Sequence, residues 1–329
     1  MTAPTTPKLE RCVLATLLAL ITLHTYFRLS RSLWLDELLT AWITKETFPT
    51  AFLLPWNYQG QSPVAFVVVW LTRQLLGSSE LVLRLPSFLL SILTLLAVYK
   101  IGMILWQKQI GIRAALLCCV VTPLTISLDA RPYAMALCAY GWSLYFFILW
   151  LKNPTERLLG TTTLLALATL YSHPLFALAY VPFLLGALWV APHRKFSLIA
   201  WLGIGLLALM PLAHQLLALS AKQPVYTWLP TLSWGRIYLS LCPFPVIGLL
   251  IVFTASFYLG VQEGEKPIKE PMLKLLPALY LTPLLLAFIL DYFDLLRIFT
   301  PRYVLYSYIP LCLLLAWLSH VLRPLMFYG

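Results

Sequence analysis

Long apolar runs separated by short polar stretches make up most of this chain. A run of about 20 apolar residues is long enough to cross a bilayer as a helix. Because lipid offers no hydrogen bonds, the backbone N–H and C=O groups of such a run have to bond to one another, as they do in a helix. The predicted spans are 10–29, 84–106, 112–128, 132–151, 157–172, 175–191, 196–219, 240–262, 272–290 and 303–322. The pattern predicts an all-α, polytopic transmembrane helical bundle of about ten spans, forming a single domain over residues 1–329.

The apolar segment 64–76 decides the topology. It is shorter than a span needs and contains Arg73. If it lies on the surface, more than half of the 23 Lys and Arg residues fall in cytoplasmic loops, as the positive-inside rule requires. We therefore predict cytoplasmic termini, a long first outer loop over 30–83 that carries surface helices, and a second outer loop over 220–240. No small-residue cleavage site follows the first apolar run, which predicts an uncleaved first helix.

Composition excludes several classes of function. Hydrophobic residues make up 61% of the chain, and the net charge of +11 forms no basic surface that could follow nucleic acid. Cysteines and histidines lack disulfide or zinc spacing. No glycine-rich nucleotide loop or Ser-His-Asp arrangement is visible, so an activated, lipid-borne donor is a better energy source than nucleotide hydrolysis.

The adjacent acids Asp36 and Glu37 stand out in a chain with only 12 acidic residues. They lie just after the first apolar run, between Trp34 and Trp42, which favour the membrane interface. One reading is an interfacial pair neutralised by Arg28 or Arg31. The other is that one carboxylate acts as general base towards an acceptor hydroxyl while its neighbour orients it or binds a metal.

Further polar residues lie where other spans end. Asp129 and Arg131 could form a local ion pair with Tyr133 as an interface anchor, or Arg131 could hold a phosphate. His173 is compatible with a helix cap as well as with catalysis. Arg302, beside Tyr303, could be a headgroup anchor or a second phosphate ligand. The predicted topology brings all of these positions, and the stretch 226–228, to the outer face.

Several short motifs in this order resemble the integral-membrane glycosyltransferases of the GT-C superfamily, in the group of protein O-mannosyltransferases and bacterial aminoarabinose transferases. The matching residues are Trp34-Leu35-Asp36-Glu37, Ser62-Pro63, Leu76-Gly77-Ser78-Ser79-Glu80-Leu81-Val82-Leu83-Arg84-Leu85-Pro86-Ser87, Asp129-Ala130-Arg131-Pro132-Tyr133-Ala134, Tyr171-Ser172-His173 and Pro301-Arg302-Tyr303. Two features depart from the family. Ser62 stands where some relatives have a phosphate-contacting lysine, and many relatives continue beyond ten spans.

The resemblance implies transfer of a sugar, mannose or another hexose or pentose, from a polyprenyl-phosphate donor by inverting single displacement. Asp36, with Glu37 beside it, would be catalytic. The substrate- and phosphate-binding residues would be Asp129, Arg131, Tyr133, His173, Arg302 and Tyr303. A divalent metal ion is left open, with Asp36 and Asp129 as its candidate ligands.

The same resemblance implies a multi-pass protein of the bacterial inner (plasma) membrane with its site facing the periplasm. Its partners would be the donor, membrane lipid and an acceptor that is a protein, a lipid or a glycan, without nucleic acid. A lipid-linked sugar flippase or transporter is the main alternative, followed by a non-catalytic subunit of a glycosylation complex. Transporters place ionisable residues near the middle of the membrane, whereas those of this chain lie at span ends.

Overall fold

The computed structural model describes residues 22, 25–27, 29–59, 63–121, 128–190, 192–220, 231–241 and 270–328. Within these ranges the protein is helical and has no strand. The helices are α1 (Leu35–Ile43), α2 (Phe48–Leu54), α3 (Pro63–Leu76), α4 (Glu80–Leu105), α5 (Lys108–Val120), α6 (Tyr133–Lys152), α7 (Glu156–Ser172), α8 (Val181–Val190), α9 (Lys195–Ser220), α10 (Trp234–Leu241), α11 (Glu270–Tyr292) and α12 (Tyr308–Tyr328). The predicted all-α bundle is confirmed.

Four helical segments in the described part of the chain are long and apolar enough to cross a membrane: Glu80–Leu105, Tyr133–Lys152, Pro192–Ala218 and Leu275–Tyr292. The protein is therefore a helical membrane protein, and the count of ten spans stays a prediction. Most of the predicted spans 10–29 and 240–262 lie outside the described residues, as do Ser62, Arg28 and the stretch 226–228.

Helix α6 is the centre of the bundle. It packs against α4 and α7, while α12 packs against α5 and α11. Most side chains of α6 are buried, including Tyr140, Leu144 and Phe147. Helix α9 instead packs on α7 with one side and exposes most of its apolar side chains, as expected of a peripheral helix that faces lipid.

Two ends of the bundle can be distinguished. Helices α4 and α6 run in the same direction, because Arg84 and Tyr133 near their starts lie at one end and Lys152 Nζ donates to the Ile104 carbonyl at the other (2.6 Å). Helix α7 returns towards the first end and finishes at His173. We call this first end the site end.

Helix α3 is the segment that was predicted to lie on the surface. It is 14 residues long and is fixed to the preceding part of the chain by Arg73, which donates to the Ala41 carbonyl (2.6 Å) and to Thr44 (3.1 Å). Gly77, at a φ of +93°, ends the helix in the left-handed conformation that favours glycine. Ser79 then caps α4 by accepting from the Val82 N–H.

Two predicted spans begin differently. The segment 175–191 is not one helix: a 3-10 helix, Pro174–Tyr180, precedes α8. Pro182 explains the break, because its ring nitrogen cannot donate to a preceding turn, so the α-helix starts beside it. The last span was predicted from residue 303, but Arg302 and Tyr303 lie in a turn that precedes α12.

Candidate functional site

The acidic pair Asp36–Glu37 lies in the first turn of α1, and the helix separates the two side chains. Glu37 faces inward with Thr40 and Ile43, and its side chain is completely buried. The Asp36 side chain is 30% exposed and opens towards solvent. One carboxylate is therefore accessible to a substrate and the other is part of the interior.

Glu37 forms a buried ion pair with Arg84, whose side chain is also 0% exposed. Arg84 Nε and Nη2 donate to the two carboxylate oxygens at 2.7 and 2.6 Å. The backbone N–H groups of Ala130 (2.9 Å) and Trp34 (3.3 Å) donate to the same oxygens. Burial alone would raise the pKa of Glu37, but these hydrogen bonds and the charge of Arg84 outweigh it and hold the pKa below its ordinary value.

Arg84 also joins three parts of the chain. Besides Glu37, its guanidinium donates to the carbonyls of Leu29 (2.8 Å), Arg31 (2.6 Å) and Ser32 (3.2 Å). Since Glu37 in turn accepts from Ala130, the pair fixes the segment before α1, the start of α4 and the turn before α6 to one another. Sequence reasoning left Arg84 as a helix start or a member of a family motif. Its signal was a charged residue within an apolar helix, which a fold tolerates only when the charge is paired.

Asp36 lies between two arginines. Arg302 Nη1 is 3.4 Å from its Oδ2, and Arg131 Nη1 donates to its backbone carbonyl at 3.4 Å. The Arg302 guanidinium lies over the rings of Trp34 (5.5 Å) and Tyr303 (5.9 Å), which helps to orient it. The last inter-helix turn thus brings a cation to a carboxylate that is 266 residues away in the chain.

Asp129 accepts a hydrogen bond from Arg31 at 2.7 Å, and its side chain is only 5% exposed. Asp129 thus forms an ion pair with Arg31, whereas one sequence reading paired it with Arg131. Its backbone carbonyl accepts from Ser87 of α4 (2.8 Å). These contacts fix the turn that leads into Arg131 and Tyr133.

Three buried aromatic side chains, those of Tyr133, His173 and Tyr303, pack together at the site. His173 is 5.0 Å from Tyr133 and 5.9 Å from Tyr303, measured between ring centroids. Tyr133 also lies beside Asp36 and the two arginines at 131 and 302. Burial, and then the positive charge of Arg131, lower the pKa of His173 to about 3, so its ring is neutral at ordinary pH.

The structure brings all eight predicted site residues to the site end of the bundle. They come from α1, the turn before α6, the end of α7 and the turn before α12. Arg31, Arg84 and Trp34 join them and were not predicted as site residues. Among the described residues, the site contains four arginines and three carboxylates. The arginines are Arg31, Arg84, Arg131 and Arg302, and the carboxylates are Asp36, Glu37 and Asp129.

A divalent metal does not fit the two carboxylates proposed for it. Asp129 accepts from Arg31, and Asp36 contacts Arg302. Over the described residues, no group of three or more His, Cys, Asp and Glu side chains could hold a metal ion. Two carboxylates that already face arginines make a poor donor set for a hard cation, and we derive no step from a metal.

Comparison with known protein families gives a match to part of the chain. Residues 60–217 match the family model described as dolichyl-phosphate-mannose-protein mannosyltransferase. No curated protein and no solved structure matches the chain. The matched range includes Arg84, Asp129, Arg131, Tyr133 and His173, and the structure joins Asp36 and Arg302 to them from outside that range. The resemblance seen in the sequence is thereby confirmed: residues 60–217, slightly less than half of the chain, are similar to this family of glycosyltransferases, and the chain has helices long and apolar enough to cross a membrane.

Proposed function

We propose that this protein transfers a sugar from a polyprenyl-phosphate donor to an acceptor hydroxyl at the outer face of a bacterial plasma membrane. The observation that carries the proposal is the partly open Asp36 carboxylate, which contacts Arg302 while Arg131 donates to the backbone carbonyl of the same residue. A base beside two phosphate-binding cations is what a single displacement at a sugar phosphate requires. The description of the matching family, which names dolichyl-phosphate-mannose, supports this class of donor.

Charge and unsatisfied donors support an anionic ligand. With His173 neutral, the four arginines exceed the three carboxylates of the described site by one positive charge. Arg131 Nε and Trp34 Nε1 are buried and have no hydrogen-bond partner among the described residues. Buried donors without partners are costly, and a phosphate offers several acceptor oxygens with the geometry that arginine prefers.

In the proposed reaction, Asp36 accepts the proton of the acceptor hydroxyl as that oxygen attacks the anomeric carbon. The bond between the anomeric carbon and the phosphate oxygen breaks on the opposite side, and the lipid phosphate leaves with the electron pair. Arg131 and Arg302 stabilise the charge that develops on the leaving phosphate. Attack from the opposite side inverts the anomeric configuration.

In this scheme Arg302 interacts with two anions in turn, the Asp36 carboxylate and the donor phosphate. Without donor it contacts Asp36 at the long distance of 3.4 Å. The donor phosphate is a diester with one negative charge, and a second charge develops on it as the bond to the sugar breaks, so the guanidinium is drawn towards the phosphate as the reaction proceeds. Asp36 is then released to accept a proton. Glu37, which is buried and fully hydrogen-bonded, would position Asp36 without touching substrate.

The test is donor turnover by purified protein in lipid vesicles. Radiolabelled polyprenyl-phosphate sugars would be offered with and without a crude membrane acceptor, to wild type and to Asp36→Asn. We expect Asp36→Asn to lose turnover by about 10²-fold or more, the usual contribution of a general base, while donor binding persists. Asp294→Asn is the matched control, because Asp294 is an exposed aspartate that forms its ion pair with Arg297 and not with an arginine of the site.

Each outcome separates the alternatives. Equal turnover by wild type and Asp36→Asn would remove Asp36 from the mechanism. Donor binding without turnover across the panel would favour a lipid-linked sugar flippase or a subunit that needs a partner.

A further inference from the structure

His173 contacts the neighbours of both arginines. Its ring packs against Tyr133, two residues after Arg131, and against Tyr303, which directly follows Arg302. Phe176 of the next turn packs on it from a third side, with ring centroids 5.5 Å apart. One side chain therefore lies between the turn before α6 and the turn before α12.

The surroundings of His173 suit a packing group better than a ligand. The residue is only 6% exposed, so little of its ring is open to a ligand. Its ring packs against the aromatic rings of Tyr133, Phe176 and Tyr303, and the positive charge of Arg131 acts on it. A buried ring beside a cation stays neutral, so it neither attracts a phosphate by charge nor exchanges protons near neutral pH.

The backbone around His173 is well suited to hold a rigid wedge. Its N–H donates to the Thr169 carbonyl at 2.8 Å and closes α7, and its carbonyl accepts from the Phe176 N–H at 3.0 Å and opens the 3-10 helix. Pro174 follows and restricts the conformation of His173 to the extended region, where its φ is −153°. The ring is thus fixed at the junction between the end of α7 and the start of the 3-10 helix.

We propose that His173 is a positioning residue: a neutral aromatic wedge that fixes Tyr133 and Tyr303 and thereby sets the separation of Arg131 and Arg302. The proposal rests on the proposed function, since the two guanidinium groups are taken to hold one donor phosphate. The sequence reading made His173 a substrate- or phosphate-binding residue. As a wedge it contributes the shape and burial of its ring, and neither ring nitrogen takes part in the reaction.

The experiment compares His173→Phe with His173→Ala. Phe keeps a planar ring and removes both nitrogens, whereas Ala removes the ring. Kinetics with a polyprenyl-phosphate sugar would be measured from pH 5.5 to 8.5, and binding of the unglycosylated polyprenyl phosphate would be measured separately. His193→Ala is the matched control, because that histidine is exposed in the short 3-10 helix before α9.

We expect His173→Phe to keep kcat, KM and the pH profile within about threefold of wild type, as volume-conserving core changes usually allow. His173→Ala should raise KM for the donor and weaken polyprenyl-phosphate binding by about tenfold or more, the cost of loosening a charge-assisted hydrogen bond. Its kcat should fall less than its KM rises. The control should match wild type in both assays.

Two results would overturn the wedge. One is His173→Phe being as impaired as His173→Ala, which would show that a ring nitrogen contacts substrate. The other is a pH profile in which the fall in activity on the acidic or the basic side disappears in His173→Phe, which would show that His173 transfers a proton. If wild type itself neither binds polyprenyl phosphate nor consumes any donor, the proposed function fails instead, and the two failures are thereby distinguished.

Discussion

Asp36 and Glu37 are neighbours in the chain with opposite surroundings. Successive helical residues point about 100° apart, so one carboxylate of the pair reaches the site while the other is turned into the interior. The interior one is stable only because Arg84 and two backbone N–H groups neutralise it. A buried charge without its partner is far more costly than the pair is favourable.

Removing either partner should therefore destabilise the protein strongly. We expect Glu37→Gln or Arg84→Met to lower the free energy of unfolding by about 3–5 kcal/mol, the usual cost of a broken buried ion pair. The double variant should cost less than the sum of the two single variants, because it leaves no uncompensated charge.

Thermal unfolding in a single detergent would measure these changes. Arg297→Met, at the exposed pair with Asp294, is the control and should cost about 0–1 kcal/mol. Single variants no less stable than that control would contradict the role given to the buried pair.

The lowered pKa values of Glu37 and His173 make the fold sensitive to acid. Glu37 is ionised in the folded state, so the stability it contributes is present above its ordinary pKa of about 4.5 and is lost as the pH falls through the lower folded value. His173, with a folded pKa of about 3, stays neutral in the fold but takes up a proton when unfolded below about pH 6.5. The unfolded chain binds more protons in both cases, and stability therefore declines with falling pH.

The two residues act in overlapping pH windows that begin at different pH values. His173→Phe should flatten the decline of the unfolding midpoint from about pH 6.5 down to about pH 3, and Glu37→Gln should flatten only the part below about pH 4.5. Unfolding midpoints recorded at half-unit pH steps would show this. An unchanged slope above pH 4.5 in His173→Phe would mean that His173 is not neutral in the fold.

Helices α4 and α5 approach each other closely where two glycines face. A Cβ added to Gly102 would lie 2.5 Å from the Gly111 Cα, and one added to Gly111 would lie 2.4 Å from the Tyr99 carbonyl oxygen. Backbone atoms cannot move aside as a flexible side chain can. Small residues at such crossings allow membrane helices to make close van der Waals contact.

Gly102→Ala should force α4 and α5 apart. We expect a loss of about 1–3 kcal/mol, the range for overpacked interiors, measured by thermal unfolding in detergent. The matched control is Gly203→Ala in α9, where an added Cβ meets nothing within 4 Å. That control should be neutral or slightly stabilising, since alanine favours a helix more than glycine does. Equal effects of the two substitutions would contradict the close crossing.

The candidate site residues lie together at one end of the bundle. Asp36, His173 and Arg302 lie at the site end, whereas the start of α7 lies at the other end, where Glu156 accepts hydrogen bonds from Ser197 and Trp201 of α9. The two ends should therefore lie on opposite sides of the membrane. From the positive-inside rule we predict that the site end lies outside.

Cysteine labelling tests this orientation. Single cysteines would replace Leu35 and Leu295 near the site end, and Phe196 near the other end, in a variant without the six native cysteines. The three leucine and phenylalanine side chains are 78%, 65% and 76% exposed. We expect a membrane-impermeant maleimide to label positions 35 and 295 in intact cells, and position 196 only after permeabilisation.

The reverse pattern would place the site inside the cell. Labelling of positions 35 and 196 from the same side would contradict the two-ended arrangement itself.

Hydrophobic periodicity and length were enough to predict the helices. Residues 84–106, 132–151, 157–172 and 196–219 lie within a few positions of α4, α6, α7 and α9, and the short segment 64–76 coincides with α3. In lipid an apolar run has to form its backbone hydrogen bonds within its own segment, so its local sequence decides its conformation. The breaks at Pro182 and before α12 were missed because proline limits a helix without fixing the residue at which it ends.

The sequence also predicted which residues would gather at one end, because charged groups are rare in a membrane bundle and lie where it meets water. It did not predict their partners. Whether Asp36 would meet Arg31 or Arg302, and whether Glu37 would be open or buried, depends on the rotation of α1 and on contacts between residues 47 to 266 positions apart. Such contacts are set by packing of the assembled bundle, which no local pattern encodes, and so the fold alone selects one of two adjacent carboxylates as accessible.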